Sequence, residues 1–300
     1  YANTSGTQNA FIGYHSGTTN TEGSYNAFFG SDAGLKNIGG DRNTFIGNKA
    51  GMNNTEGDNN IMIGYVAGVQ NTTGSNNAFV GYAAGNSNID GYDNAFIGTY
   101  AGWKNDDGHD NAFLGTRAGE QNTSGDYNTF LGYEAGKENI SGSYNAFIGY
   151  QAGKANTTNG GLVYIGFNAG YQCTGDNNTL IGYSAGSGLT DGNNNVFLGY
   201  SSGAGVSTGN KNVFIGYLAR YGGSNVSDKL VIGNSATSRL IEGDFSDKTV
   251  QVNGILTNYV TSGNSNIVLD GSPTTGTINQ VVFNENGEYK AGFGWQTTDG

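Results

Sequence analysis

The feature that most constrains this chain is a 17-residue repeat that occupies most of its 300 positions. A triplet with the consensus Phe-Ile-Gly marks each of the fourteen copies, and the consensus of the whole repeat is N-x-F-I-G-Y-x-A-G-x-x-N-T-x-G-x-x. Every step between triplet glycines is 17 residues except one of 16, between Gly166 and Gly182. The triplet glycines are Gly13, Gly30, Gly47, Gly64, Gly81, Gly98, Gly115, Gly132, Gly149, Gly166, Gly182, Gly199, Gly216 and Gly233. Because glycine is unfavourable in helix interiors, a unit this rich in glycine favours a coil of β-structure over two helices.

Each copy predicts one coil of an all-β fold, a β-solenoid with 17-residue coils. We expect a strand at N-x-F-I-G, a turn at Y-x-A-G, a second short strand near x-x-N-T and a turn at x-G-x-x. Coils stack at about 4.8 Å, so fourteen would extend on the order of 65 Å. Stacking turns each consensus position into a column, in which asparagines can hydrogen-bond from coil to coil. The ladder asparagines chosen on this basis are Asn26, Asn43, Asn94, Asn111 and Asn145.

Two large apolar residues stand side by side in nearly every strand, as Phe147 and Ile148 do. Neighbouring side chains of a strand point to opposite faces, and so small a coil encloses only one row of large side chains. One column therefore fills the interior and the other forms an apolar stripe, and the pattern leaves open which is which. Such a stripe indicates an interface, and cyclic closure favours a parallel homotrimer. The residues assigned to the coil core or the trimer interface are Phe11, Ile12, Phe45, Ile46, Phe96, Ile97, Phe147, Ile148, Phe214 and Ile215.

The residue after the consensus tyrosine varies freely, from His15 to Lys49 to Glu134, and this variability predicts exposure to solvent. The tyrosine itself recurs, for example at Tyr133 and Tyr150. Its regularity favours packing against the neighbouring coil, and the alternative is a row of rings on which sugars stack.

The F-I-G-Y-x-A-G coil resembles the I-G-x-x-A repeats of trimeric autotransporter adhesin heads, the YadA-like β-roll. The longer N-T-x-G-x-x-N-x-F-I-G form is similar to repeats of predicted phage tail-fibre proteins and of bacterial cell-surface fibres. Residues 239–254, RLIEGDFSDKTVQVNG, resemble the neck of such fibres. The resemblance implies three rolls packed as a trimer, then a neck and a receptor-binding tip or chaperone domain. The 17-residue period departs from the shorter coils of the adhesin heads, and these 300 residues contain no chaperone domain.

The pattern divides the chain into a β-roll shaft of fourteen coils at 1–237, a neck or connector strand at 238–260 and a small β region at 261–300. In the last region, Asn286-Gly287 predicts a type I′ turn within a hairpin at 281–293. Aromatic residues near the end lead us to expect that the folded region continues beyond it. The connector residues that we expect in a trimer core are Leu240, Phe245, Val250, Val252 and Ile255.

Composition and motifs give no indication of catalysis. The net charge of −11 offers no electrostatic basis for binding nucleic acid or an anionic membrane surface, and no apolar run approaches the ~20 residues that span a bilayer. His15 and His109 lie in separate coils without a repeated acid partner, so we assign no catalytic residue. The acidic stretch at 105–111 lacks the spacing of a calcium loop, and the single cysteine, Cys173, excludes a cysteine-based zinc site. We expect neither metal nor cofactor.

These observations predict a non-enzymatic structural shaft of a trimeric extracellular fibre or adhesin, at a cell surface or in a virion tail fibre. Its partners would be two further copies of the chain and, through a tip, a glycan or protein on a host or prey cell. One alternative is a tailspike-like glycan-degrading fibre whose active site lies outside this segment. Another is a monomeric ice- or surface-binding solenoid that uses the threonines of the N-T position, although Ile38, Ile89, Asp106 and Ile140 interrupt that column.

Overall fold

A computed structural model describes residues 3–220, 222–253, 279–285 and 288–295, the last two ranges by their backbone alone. The chain separates into two compact units, Tyr1–Gly254 and Ile255–Gly300. In the first unit sixteen strands form one sheet in the order of the sequence, and in the second unit two strands pair with each other. The described secondary structure consists of strands and turns, which agrees with the predicted all-β class and β-solenoid.

Fourteen strands of the first unit belong to the repeat. They are β1 (Ala10–Ile12), β2 (Ala27–Phe29), β3 (Thr44–Ile46), β4 (Ile61–Ile63), β5 (Ala78–Val80), β6 (Ala95–Ile97), β7 (Ala112–Leu114), β8 (Thr129–Leu131), β9 (Ala146–Ile148), β10 (Val163–Ile165), β11 (Thr179–Ile181), β12 (Val196–Leu198), β13 (Val213–Ile215) and β14 (Lys229–Gly233). The triplet glycine follows each of β1–β13 directly, and it limits strand length. At Gly47, where φ is +136°, a Cβ atom would lie 2.4 Å from the carbonyl oxygen of Gly64 in the next coil, so no side chain fits there.

Neighbouring repeat strands pair in parallel and residue for residue, so that Phe28 aligns with Phe45 and Phe45 with Met62. The shorter coil between β10 and β11 keeps this register, since Tyr164 still aligns with Leu180. From β1 to β14 the chain completes about thirteen coils rather than the predicted fourteen, because the last copy contributes a strand without a full coil. Thirteen steps at ~4.8 Å give a stack of about 62 Å.

The phenylalanine column fills the interior of the coil. Its members from Phe28 to Val231 are fully buried, and consecutive rings such as Phe113 and Phe130 stack with centroids 4.8 Å apart. A glycine four residues after the triplet glycine packs on every ring of the column except Phe214, where Arg220 takes its place. A Cβ atom on Gly119 would come within 2.4 Å of the Phe113 ring. The phenylalanine column therefore lies inside the coil and the isoleucine column outside.

The rest of each described coil is a series of turns, and the predicted second strand near x-x-N-T is wrong. The physical reason is a set of left-handed residues that interrupts extended backbone. One of them is the variable residue after the tyrosine, with φ of +59° at Lys49, +50° at Val66 and +52° at Glu134. The predicted exposure of this column holds for His15, but Lys49 is half-buried and Glu134 is buried.

Two columns of buried asparagine run along the coils. The predicted ladder residues belong to the column that precedes the strand, here called the strand asparagines. The Oδ1 atom of Asn26 accepts the backbone N–H of Asn43 at 2.9 Å, and the Nδ2 of Asn43 donates to the Gly57 carbonyl at 2.8 Å. A second column, the turn asparagines, forms the chain of amide-to-amide bonds. They are Asn20, Asn37, Asn54, Asn71, Asn88, Asn105, Asn122, Asn139 and Asn156.

Each turn asparagine bonds in two directions at once. The Nδ2 of Asn37 donates to Asn20 Oδ1 of the preceding coil at 2.7 Å and to the Gly40 carbonyl of its own turn at 2.9 Å. The same pattern recurs down to Asn156, whose Oδ1 is buried without a partner. These amides satisfy backbone groups that the tight turns would otherwise leave buried and unpaired.

After the last parallel strand, β15 (Arg239–Asp244) and β16 (Thr249–Val252) extend the sheet in antiparallel pairing. An ion pair between Lys229 and Asp244 joins β14 to β15, and hydrogen bonds from Lys229 and Ser246 lower the pKa of the Asp244 carboxyl. Residues 239–252 of the predicted connector thus form two strands of the first unit. Its exposed apolar side chains are Leu240, Phe245, Val250 and Val252, while Ile255 lies outside the described residues.

In the second unit, β17 (Asn279–Glu285) and β18 (Glu288–Trp295) pair antiparallel, with a register shift between Phe283 and Asn284. This pairing agrees with the predicted hairpin at 281–293. The predicted turn residues Asn286 and Gly287 lie outside the described residues.

Candidate interaction face

The outer surface of the parallel sheet presents three columns in every coil. We call these together the interaction face: the two residues that flank each member of the phenylalanine column, and the residue that follows the triplet glycine. Neighbouring strand residues alternate between the two faces of a sheet, so the inward phenylalanine places its two neighbours outward.

The residue after phenylalanine forms the isoleucine column, which is exposed along the stack. Ile12 is 62% exposed, Ile97 43% and Leu198 43%, and Ile148 and Ile215 are half-buried. Apolar side chains of this size are normally covered when they form a continuous column. In the single chain, about half of the surface of these side chains remains in contact with water.

Aromatic rings predominate in the neighbouring tyrosine column, which follows the triplet glycine, and the other copies have Ser31, Asn48, Thr99, Thr116 and Asn234. From Tyr133 to Tyr217 six rings stack on one another, with centroid distances of 5.2, 5.0, 4.9, 5.2 and 5.2 Å. The flat sides of the inner rings are covered by their neighbours, and only ring edges and hydroxyl groups face outward. The expected packing between neighbouring coils is therefore present, and it leaves the inner rings no free flat side for a sugar.

The residue before phenylalanine completes the interaction face with small or β-branched side chains, such as Ala95, Thr129 and Val196. None of the three columns contains Asp, Glu, Lys or Arg in any of the fourteen copies. The chain has 13 basic and 24 acidic residues, and all of them lie elsewhere. The repeat itself indicated the isoleucine and tyrosine columns, whereas the column before phenylalanine and the shared lack of charge were not predicted, although both can be read from the repeat.

The predicted site residues separate cleanly by position. Those at the core are Phe11, Phe45, Phe96, Phe147 and Phe214, and those on the interaction face are Ile12, Ile46, Ile97, Ile148 and Ile215. The ladder asparagines Asn26, Asn43, Asn94, Asn111 and Asn145 are buried beside the strand starts, away from this face. They support the coil and make no part of the exposed surface.

Charges instead gather on the turns, most densely around Glu134. Its carboxylate accepts hydrogen bonds from Lys154 at 2.8 Å, Lys137 at 3.0 Å and Gln151 at 2.7 Å. Burial by itself would raise the pKa of this carboxyl. The hydrogen bonds from Lys154, Gln151 and Lys137 outweigh that effect and lower the pKa to about 2. Arg117 of the preceding coil lies 3.8 Å from the same carboxylate, so the cluster links three successive coils.

The histidines lie on turns as well. His109 stacks on Tyr92 at 4.6 Å, and its Nδ1 lies 3.0 Å from Asp110 Oδ2 while its Nε2 lies 3.4 Å from Asp126 Oδ2. Within the part of the chain that the structure describes, no group of three or more His, Cys, Asp and Glu side chains is arranged to hold a metal ion. Nor does any helix among the described residues have the length and hydropathy to cross a membrane.

The geometry thus identifies one extended uncharged face, backed by an ordered core and flanked by charged turns. Comparisons with protein-family models, with curated proteins and with solved structures found no match.

Proposed function

We propose that the chain is the structural shaft of a trimeric extracellular fibre or adhesin, and that three parallel copies join through their interaction faces to present a tip for cell-surface attachment. The observation that carries this proposal is the absence of charge from three adjacent, outward columns over the whole stack. Exposing an uncharged, largely apolar surface of this length to water is unfavourable for a single chain. Such a surface is typical of one that is covered by further copies of the same chain.

The energetics are sufficient for stable association. Covering the exposed half of one isoleucine-column side chain contributes about 1 kcal/mol. Over fourteen copies this sums to on the order of 10 kcal/mol for each chain. Losing translational and rotational freedom costs about 4–15 kcal/mol, so the isoleucine column together with its two flanking columns can offset it.

Geometry favours a closed assembly of parallel chains. The columns keep one register from β1 to β14, so the face lies along one side of the stack. Faces of this kind meet around a common axis when copies are related by cyclic symmetry. The resemblance of the repeat to adhesin heads and tail fibres supports three copies and an extracellular location.

Threonine hydroxyls at the N-T position are engaged within the solenoid, which counts against the ice-binding alternative. Thr72 Oγ1 donates to the Ile89 carbonyl at 3.1 Å, and Thr123 Oγ1 donates to the Ile140 carbonyl at 3.0 Å. Hydroxyls that already donate to the next coil are poor donors to ice. The glycan-degrading alternative would require clustered carboxylates between subunits.

The test is the mass in solution, measured by light scattering after gel filtration. We expect three times the chain mass of 31.1 kDa. The combined variant Leu114→Asp, Leu131→Asp and Ile148→Asp places three charges on the interaction face, and it should be monomeric yet folded. A control with Gln70→Asp, Ser141→Asp and Gln172→Asp adds the same charge at exposed turn positions and should remain trimeric. A monomeric parent chain, or a trimeric face variant, would contradict the proposal.

A further inference from the structure

An open groove lies along the turns that precede the strand asparagines, between Asp176 and Asp228. It encloses about 550 Å³ and runs across four successive coils. None of its residues belongs to the interaction face. Each coil contributes two adjacent side chains, which are Asp176-Asn177, Asn193-Asn194, Asn210-Lys211 and Ser227-Asp228.

The groove lining is rich in carboxamides. Asn177 and Asn194 are exposed, and Asn193 Nδ2 donates to Asn210 Oδ1 at 3.2 Å. A carboxamide both donates and accepts hydrogen bonds, and sugar hydroxyls do the same. Two aspartates and one lysine leave a net charge of about −1 on the groove, and the whole chain carries −11. This balance disfavours polyanions and suits an uncharged ligand.

The fold does not by itself require amides at these positions. Asn177 and Asn194 have φ of +56° and +59°, a conformation in which asparagine is common. In other coils, however, the same column holds Tyr25 with φ of +62° and Arg42 with φ of +55°. Since large side chains are accommodated by the same backbone, the short side chains of Asn177, Asn194 and Asp228 leave open space that the coil geometry does not demand, and Lys211 is the one long side chain of this column in the groove.

An aromatic ring with a free flat side stands in the same column, two coils before Asn177. Tyr144 is 68% exposed, and one side of its ring stacks on Tyr127 at 5.0 Å. The residue that follows it in the column is Gly161, which has no side chain to cover the other side. This differs from the inner rings of the tyrosine column, which are covered on both sides.

Two glycines connect Tyr144 to the groove, and the Asn177 carboxamide lies over the second, with its Oδ1 2.7 Å from where a Cβ atom of Gly161 would be. Gly160 and Gly161 occupy the intervening coil, and the Oδ1 of Asp176 accepts hydrogen bonds from the Gly160 N–H at 3.1 Å and from Asn159 Nδ2 at 3.0 Å. Backbone bonds continue the column register across this coil, from Gly161 N–H to the Ser143 carbonyl and from Asn177 N–H to the Gly160 carbonyl. The exposed ring of Tyr144, the glycine pair Gly160-Gly161 and the groove from Asp176 to Asp228 therefore follow one another along the same turns of the stack.

We propose that this edge binds an uncharged oligosaccharide, with one sugar ring on the free side of Tyr144 and further hydroxyls on the carboxamides of the groove. The four groove coils extend about 14 Å at ordinary strand spacing, which accommodates several sugar rings in line. The site does not depend on the trimer of the proposed function.

The experiment titrates the assembled chain with maltoheptaose, cellohexaose and hexa-N-acetylchitohexaose, each measured by saturation-transfer NMR and calorimetry. We expect saturable binding of at least one of these uncharged probes. Tyr144→Ala and Asn194→Ala should each weaken that binding by about tenfold or more, the equivalent of about 1.4 kcal/mol.

Tyr25→Ala and Asn76→Ala are the matched controls, since both residues lie in the same left-handed column far from the groove. They should leave the affinity unchanged. The proposal is overturned if none of the three probes binds saturably, if the control variants lose as much affinity as the groove variants, or if polygalacturonate binds while the uncharged probes do not. The mass measurement above is independent of all these outcomes.

Discussion

The coils before and after the irregular turn at Gly160-Gly161 fill the same interior position with opposite chemistry. From Asn20 to Asn156 every coil places an asparagine there, and each amide bonds to the one before it. In the next three coils the position holds Cys173, Leu189 and Val206, all fully buried. One backbone thus accepts either a polar column or an apolar one.

The buried turn carbonyl explains why both solutions work. In the polar part, the Gly57 carbonyl accepts Asn43 Nδ2 at 2.8 Å and Asn54 Nδ2 at 3.0 Å. In the apolar part, the Gly209 carbonyl accepts Asn195 Nδ2 alone, also at 2.8 Å. The strand asparagine keeps the carbonyl satisfied, so the turn asparagine is dispensable only when its neighbours in the column change with it. A single exchange leaves neighbouring amides unpaired.

The largest loss of stability is expected for Leu189→Asn, which places a carboxamide in the apolar part of the column. Its column neighbours Cys173 and Val206 offer no amide partner, so the new carboxamide is buried largely unpaired and the packing of leucine is lost. We expect a cost of about 4 kcal/mol in the free energy of local opening, measured by native-state hydrogen exchange. If Leu189→Asn costs less stability than the converse substitution, Asn88→Leu, the proposed difference between the two parts is contradicted.

The second-largest effect is expected at low pH, where protonation of Glu134 should destabilise the polar part of the stack. Its folded pKa is about 2 against an ordinary 4.5, so its stabilisation is full above pH 4.5 and is lost as the pH falls towards 2. The shift corresponds to about 3 kcal/mol. In urea titrations, the stability difference between the parent chain and Glu134→Gln should shrink over this window. A pH-independent difference would show that the carboxylate charge contributes nothing.

The converse exchange, Asn88→Leu, should cost about 2 kcal/mol. Asn71 Oδ1 loses its donor and Asn105 Nδ2 keeps only the Gly108 carbonyl, whereas the Gly91 carbonyl still accepts Asn77 Nδ2. Hydrogen exchange should show the loss of protection confined to the coils adjacent to the substitution. Unchanged protection would mean that the amide chain adds no stability.

The smallest effect is expected for Cys173→Val, which keeps the apolar character of its position. The thiol accepts a long contact from Asn178 Nδ2, at 3.5 Å, and also interacts with the buried Tyr164 hydroxyl, while Asn178 Nδ2 donates to the carbonyls of Gly175 and Gly192 as well. A cost below about 1.5 kcal/mol is typical of such a swap, and thermal unfolding measures it. A cost near that of Leu189→Asn would identify the thiol as a required hydrogen-bond partner.

Periodicity predicted the parallel register, the position of each strand and the alternation of Phe147 and Ile148 between two faces, because these follow from strand geometry. It did not predict which face is inside, since both columns are apolar; the glycine that packs on the ring decides this, as Gly119 does on Phe113. Left-handed backbone at Val66 and Glu134 could not be predicted either, because sequence variability at a position is typical of exposed residues and carries no information about φ.

For the interaction face, the apolar stripe and its lack of charge follow from the repeat, whereas association with further copies of the chain depends on contacts that the pattern within one chain does not contain. The groove beyond Tyr144 could not be predicted from the sequence, for a different reason. Its residues belong to turn columns of mixed composition, and only the fold shows that Gly161 leaves one ring uncovered beside a run of short polar side chains.

The hydrogen bonds between coils have a mechanical consequence. Bonds such as Gly47 N–H to the Phe29 carbonyl, at 2.8 Å, join each coil to the one beside it in the stack. Tension applied along the stack loads the coils in series, so every coil carries the full force and the weakest one sets the limit. Adding repeats lengthens such a stack without strengthening it.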